Sequence, residues 1–578
     1  GHRALYSNTT ASNNTALGFQ ALYANTIGTA NVAVGSYCLD ANTTASDNTG
    51  VGYGCLSANT TGTYNTAIGR AALNTASTAD HNTAIGHNAL SANTTGEKAL
   101  AVGSSALLAN TTGLRNCAVG YVALTTNTTG GYNTAVGGLA LYTNNASYCT
   151  AVGYESLSQN STGANNTAVG YTTLENNTTG TLNVAVGNGA LRANTTTGDC
   201  TAVGYQALYA NTQNYNTAVG TYAGYTNTTG TRNTCIGRTS LHLNTTGDYN
   251  TALGMNALYA NTTASQNTAV GYDALLSNTT GAQNTAVGYN ALGANTTASD
   301  NCAVGLNALG ANTTGASNTA VGHAASDGIT TANYCTSVGR HSLSANSTAN
   351  SNTAIGYQAL YVCTAASNTA VGTQAMDSLT TGTSNTAMGE AAMHTLTTGQ
   401  QNTAFGYFAG VGHLTATANN QGFFARNDSG AGNSATWLRG DSGGACYQGN
   451  NSSSWSTTSD RRIKKNIVDN TQGLEIINKI RVRNFEYRLP EEIDLSEFPL
   501  VTEGGLDATS VAIDQEGIQI GAIAQEYEEV LPDSVITDQF KGNKEVDTDS
   551  LIWHMVNAVK ELSAENTALK ARLDAAGL

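Results

Sequence analysis

A pattern of the form NTAVGYxALxxNTTGxx recurs through most of this chain, and no other feature constrains the fold as tightly. Between Asn14 and Asn402 the spacing is 17 residues, shortened to 16 only in the periods that begin at Asn133, Cys200 and Asn352. A fixed period of this size marks a solenoid or stacked fibre, in which each unit touches only its neighbours. Gly, Asn and Thr return in every period and form helix poorly, so the units are expected to be β. Each offers two short strand-like pieces, TAVGY and ALxxN, the second running into turn formers. The Gly after the Val position stands in all 24 copies, from Gly18 to Gly406. That recurrence implies positive φ or a backbone approach too close for a Cβ. The Asn that opens most copies is expected to stack on its equivalents, satisfying its amide along a ladder.

Each period supplies only about three apolar side chains, mostly small, against roughly 1.5 kcal/mol of ordering cost per residue. A single coil is therefore expected to need company. The expectation is an all-β rod over residues 1–406, a homotrimeric parallel β-solenoid or β-roll about 110 Å long at one strand spacing per turn. The NTT triplets look like glycosylation sequons, but they recur because the repeat recurs. Ten cysteines without a CxxC read as small buried thiols of a protein made in a reducing cytoplasm. No metal site or cofactor is expected.

Composition changes abruptly near residue 459. The last 120 residues hold 13 of the 23 Lys and Arg, 23 of the 38 Asp and Glu, and all three prolines. The rod is nearly uncharged, and the net charge of −15 disfavours nucleic acid, which attracts basic stripes. No run of 18 apolar residues is present, so no membrane insertion is expected. Between rod and boundary, residues 407–458 gather Phe423, Phe424, Trp437, Tyr447 and Trp455. Exposed aromatics are common at binding surfaces, which makes this stretch the candidate receptor-binding tip. GDSGG at 440–444, reminiscent of a serine-protease loop, is a chance product of a Gly- and Ser-rich stretch.

The terminal 459–578 segment opens with SDRRIKKNI, continues through IGAIAQE, and ends in a heptad. Ile552, Met555, Val559, Leu562, Asn566, Leu569 and Leu573 alternate by three and four, a coiled-coil seam with one Asn to set register. This succession resembles the intramolecular chaperone, or auto-processing, domain that ends phage tailspikes and tail fibres such as endosialidases. The Ser-Asp-x-Arg-x-Lys start is matched by Ser459, Asp460, Arg462 and Lys464, and the IGxIAQE segment by residues 520–526, including Gln525. The repeats themselves look like those of phage and bacterial fibres, and more loosely like trimeric autotransporter heads.

The resemblance implies a small α+β domain that trimerises, helps the fibre fold, and is released by self-cleavage. Ser459 would be the nucleophile and Lys464 its base, with Asp460, Arg462 and Gln525 supporting. Attack by the Ser459 hydroxyl on the Thr458 carbonyl closes a five-membered ring, so scission is expected between Thr458 and Ser459; no turnover of an outside substrate is expected. The implied protein is a virion tail fibre, made in the host cytoplasm, that binds a cell-surface glycan or protein. It would join the virion or baseplate through a further N-terminal segment, since the chain begins in mid-repeat. The alternative is an adhesin of a bacterial surface or injection-system particle using the same chaperone.

Overall fold

The computed structural model describes residues 1–411, 415–425, 436–440, 446–448, 467–498, 508, 513, 517–537, 544–546, 548 and 550–578. Its contacts divide the chain into two units, residues 1–455 and 456–578. The first is a parallel β-solenoid of 24 turns. Each turn carries one three-residue strand, from β1 (Thr15–Leu17) to β24 (Thr403–Phe405). Every strand pairs in parallel with the next at an unchanged register, beginning with Thr15 opposite Val32 and ending with Thr386 opposite Thr403.

Within a strand the middle residue, nearly always Ala, points inward and is buried, while its neighbours point out. The rest of the core comes from the Ala-Leu pair, such as Ala72 and Leu73, and from up to two asparagines per turn, replaced in some turns by residues such as Ala76, Cys149 or Leu379. The expectation of missing burial is thereby corrected. One chain closes its own core, because stacking on both sides covers each small side chain completely.

The second strand-like piece is also corrected. ALxxN forms no strand; it turns a corner through left-handed residues. Tyr37, Leu39 and Asp47 have φ of 57°, 52° and 62°, and the same three phases repeat along the rod. A left-handed residue bearing a Cβ costs roughly 1–2 kcal/mol. The ladder between turns offsets that cost. Leu39 donates its N–H to the Cys55 carbonyl at 3.0 Å, Tyr37 to Phe19 at 2.9 Å and Asp47 to Thr29 at 3.0 Å.

Two asparagine ladders run inside the coil. In the expected one, Asn48 donates its backbone N–H to Asn31 Oδ1 at 3.0 Å and its Nδ2 to the Gly62 carbonyl at 2.9 Å. The second uses the NTT asparagines. Asn59 Nδ2 donates to Asn42 Oδ1 at 3.1 Å and to the Gly62 carbonyl at 2.9 Å. These sequon asparagines are buried with their amides engaged, closed to a glycan. Cysteines can serve in the ladders: Cys149 donates its backbone N–H to Asn133 Oδ1 at 2.9 Å and its Sγ–H to the Gly163 carbonyl at 3.2 Å. The 16-residue turns lose their residue at one place, the NTTG corner. Asn144 and Asn211 bond the carbonyl two residues on, Ala146 and Gln213, where full turns reach the third.

The recurrent glycine meets both expectations. Gly137 has φ +135°, and a Cβ there would stand 2.4 Å from the Gly153 carbonyl oxygen of the next turn. Gly137→Val therefore places a β-branched residue in forbidden backbone against an immovable carbonyl. It is expected to break the ladder locally, with hydrogen exchange accelerating in the turns around residues 120–153 while distant turns keep their protection.

Candidate functional site

Two places gather the candidate residues: the end of the rod and the terminal unit. At the end of the rod the repeat stops but the sheet does not. Strand β25 (Gly422–Ala425) pairs in parallel with β24, setting Ala404 opposite Phe423 and Phe405 opposite Phe424. β26 (Thr436–Gly440) and β27 (Cys446–Gln448) then add on as antiparallel strands. Register decides the fate of the two phenylalanines. Phe423 takes the inward Ala phase and is fully buried, so its place is in the core and not on a binding surface. A large ring where every other turn holds a small side chain closes the end of the core. Phe424 takes the outward Val phase, is 45% exposed, and stacks on Phe405 with centroids 5.1 Å apart. Tyr407, two residues after Phe405, is also exposed and lies edge-on to Phe408. Trp437 and Tyr447 fall within β26 and β27.

Thr458, Ser459, Asp460, Arg462 and Lys464, with Trp455, lie outside the described residues. The terminal unit is described from residue 467. Helix α1 (Leu474–Lys479) leads to β28 (Arg483–Phe485), which pairs antiparallel with β29 (Gln519–Gly521). Helix α2 (Ala524–Glu528) follows, then the antiparallel pair β30 (Val535–Thr537) and β31 (Lys544–Val546), and finally the long helix α3 (Leu551–Ala576). Gln525 sits exposed on α2. Its neighbour Glu526 receives both Arg483 Nε at 3.0 Å and Nη2 at 2.7 Å, and this bidentate pair holds the carboxyl below the usual glutamate range.

The segment that follows the SDRRIKKNI motif is tied to α3. His554 Nδ1 meets the Gln472 carbonyl at 2.9 Å, Asn557 Nδ2 donates to Asn470 at 2.7 Å, and Leu474 N–H donates to Glu561 Oε2 at 2.7 Å. Gly473 lies so close to the helix that a Cβ would come within 2.5 Å of Ala558 N. Sequence reading missed these contacts, because the partners are more than 80 residues apart and share no local pattern. The other face of α3 carries the heptad seam. Ile552, Met555, Val559, Leu562, Leu569 and Leu573 are all exposed along it. Among the described residues no His, Cys, Asp and Glu cluster could hold a metal, and no helix is long and apolar enough to cross a membrane.

A long β-solenoid joined to a small α+β unit with a terminal helix defines a fibre-type protein. Residues 459–536 match the family model described as chaperone of endosialidase. The combination fits a tail-fibre-type protein with a C-terminal intramolecular chaperone domain. No curated protein matches the chain.

The opposite settings of the two phenylalanines can be separated by substitution. Phe423→Ala is expected to cost about 3–5 kcal/mol at the end of the rod, as for other buried aromatics. Phe424→Ala should stay within about 0.5 kcal/mol of the parent, the range of ordinary surface changes. Urea melts of the two variants check the assignment. Equal losses would contradict the register described above.

Proposed function

We propose that the chain is the subunit of a homotrimeric, phage-type tail fibre that attaches to a host surface. Its C-terminal chaperone sets the chains in register and is then released by Ser459 and Lys464. The observation that carries this reading is an unpartnered apolar stripe on each unit. All 24 solenoid strands end on Val, Ile, Leu, Met or Phe, and every one of these side chains is half-buried or exposed. Exposed aliphatics scattered over a surface need no explanation, but a continuous rank along a whole rod marks an interaction face. The exposed seam of α3 is the matching stripe in the terminal unit, and heptads of this kind bury their seam against like helices. Parallel copies of this chain would cover both.

Register is the problem that such a subunit must solve. Each turn presents nearly the same stripe, so two rods can slide by one turn and still pair. A coiled coil with Asn566 among its seam residues admits one alignment. Release of the clamp then follows from chemistry at the unit boundary. The Ser459 hydroxyl gives its proton to the Lys464 amine and attacks the Thr458 carbonyl, turning the amide into an ester that water hydrolyses. Assembly has to precede scission, or register is lost before it is set. Attachment is placed at the end of the rod, where Phe424 and Tyr407 offer exposed rings to a cell-surface glycan or protein. The setting is a virion tail.

Two measurements test the reading separately. Light scattering on full-length Ser459→Ala protein is expected to give three times the chain mass. A monodisperse single-chain mass would refute the trimer whatever happens at the seam. Wild-type protein is expected to yield a fragment of about 120 residues beginning at Ser459, absent from Ser459→Ala and Lys464→Ala. Persistence of the same fragment in Ser459→Ala would rule out the hydroxyl as nucleophile.

A further inference from the structure

Within the solenoid, the phase just before the buried Leu is Ala in most turns. In two consecutive turns it is cysteine, Cys38 and Cys55. The cross-turn ladder sets the two residues one above the other: Leu22 donates to the Cys38 carbonyl and Leu39 to the Cys55 carbonyl, each at 3.0 Å. Both side chains are buried, and the sulfurs lie 2.8 Å apart. Among the described cysteines this is the one pair whose sulfurs touch.

The strand facing them is altered to match. Gly50 occupies the inward middle position that is Ala in nearly all other strands and Gly in none. A Cβ at residue 50 would stand 2.4 Å from Cys38 Sγ and 3.1 Å from Cys55 Sγ. Three substitutions in neighbouring turns thus interlock, two adding a sulfur and one removing a methyl. A pair of isolated small-residue replacements would not need that third change.

We propose that Cys38 and Cys55 form a disulfide that joins two consecutive turns of the rod. Backbones one strand spacing apart, about 4.8 Å, fall inside the roughly 4.4–6.8 Å Cα separation that a disulfide spans. Closing the bond requires only that side chains already in contact approach further. The oxidant is a small disulfide of the glutathione class. One cysteine thiolate attacks it, forming a mixed disulfide and releasing one small thiol. The second cysteine thiolate then attacks the protein sulfur of that mixed disulfide and releases the other small thiol. Two protein thiols and one disulfide become one protein disulfide and two small thiols, with two electrons passing to the oxidant.

Timing follows from burial. Contact with Cys55, together with desolvation, pushes the Cys38 thiol far up, so the thiolate is scarce while the turn is closed. Exchange therefore takes place as the turn opens or during folding. Once made, the bond keeps the two turns stacked through later opening of the ladder, and the same burial shields it from reductants. A rod carrying lateral load would gain a covalent tie between turns otherwise held only by hydrogen bonds and side-chain packing.

The test uses the full-length chain incubated with oxidised glutathione in mild urea, returned to native buffer, alkylated and digested. Two of the ten thiols should become unavailable to alkylation, and a cross-linked peptide containing Cys38 and Cys55 should appear, 2 Da lighter than its two parts. Cys38→Ala restores the residue that most turns use, so it should fold, lose the cross-link and leave Cys55 alkylated. Gly50→Ala should form the bond at least several-fold more slowly, because its methyl takes the space the sulfurs occupy. Recovery of Cys38 and Cys55 as separate alkylated peptides after complete oxidation, or of Cys38 joined to another cysteine, would overturn the proposal.

Discussion

Hydrogen bonding between successive turns is the interaction on which everything else in the rod depends. Three-residue strands are too short to hold a sheet by side-chain packing, and a core of Ala and Leu is thin. The backbone ladder continues beyond the strands, through corners where Leu, Tyr and Asp residues are held left-handed, so that few donors are left over. Two internal rows of asparagine extend the same logic to side chains. A buried amide left unpaired would cost about 1–3 kcal/mol. Here most are answered by the equivalent one turn away, and the polar interior becomes a source of order; the ladder is interrupted at Asn59, Asn127 and Asn312, whose Oδ1 atoms are buried without a partner. The glycine corner is the condition for this arrangement, since any side chain there would hold the turns apart.

Much of the rod was legible from its sequence. A strict period, a glycine in every copy and a recurring Asn translate directly into a stacked β-coil with a close approach and a ladder. What was not legible depended on direction and handedness. Leu39 and Tyr37 carry no local sign that they sit in left-handed backbone, because the neighbouring turn imposes it. The NTT asparagines looked like turn residues and proved to be core, for inward orientation is a property of the corner and not of the residue. The need for partner chains was inferred from a count of apolar residues. That count ignored how completely stacking covers small ones.

The candidate sites divide along the same line. Phe423 and Phe424 are indistinguishable in sequence, and only their register against Ala404 and Phe405 separates a core plug from an exposed ring. In the terminal unit, the heptad of α3 was plain from its spacing, while the docking of residues 470–474 on its opposite face was hidden by separation along the chain. That docking gives the helix two distinct faces. One is bound to its own chain, next to the segment that follows the matched Ser-Asp-x-Arg-x-Lys motif; the other is open to solvent.

The shortened turns carry a consequence of their own. All three lose their residue at the same corner and leave the strand register on either side intact, as between Thr134 and Thr150. The coil thus concentrates its tolerance for imprecision at a single point in each cycle. Tandem repeats are prone to unequal exchange during replication, and most protein folds would be ruined by the resulting gains and losses. Here a whole coil can be added or removed without creating a new fold, and a slightly ragged junction is absorbed at the forgiving corner. Reach thereby becomes a trait that can vary between lineages while the two ends of the molecule stay the same.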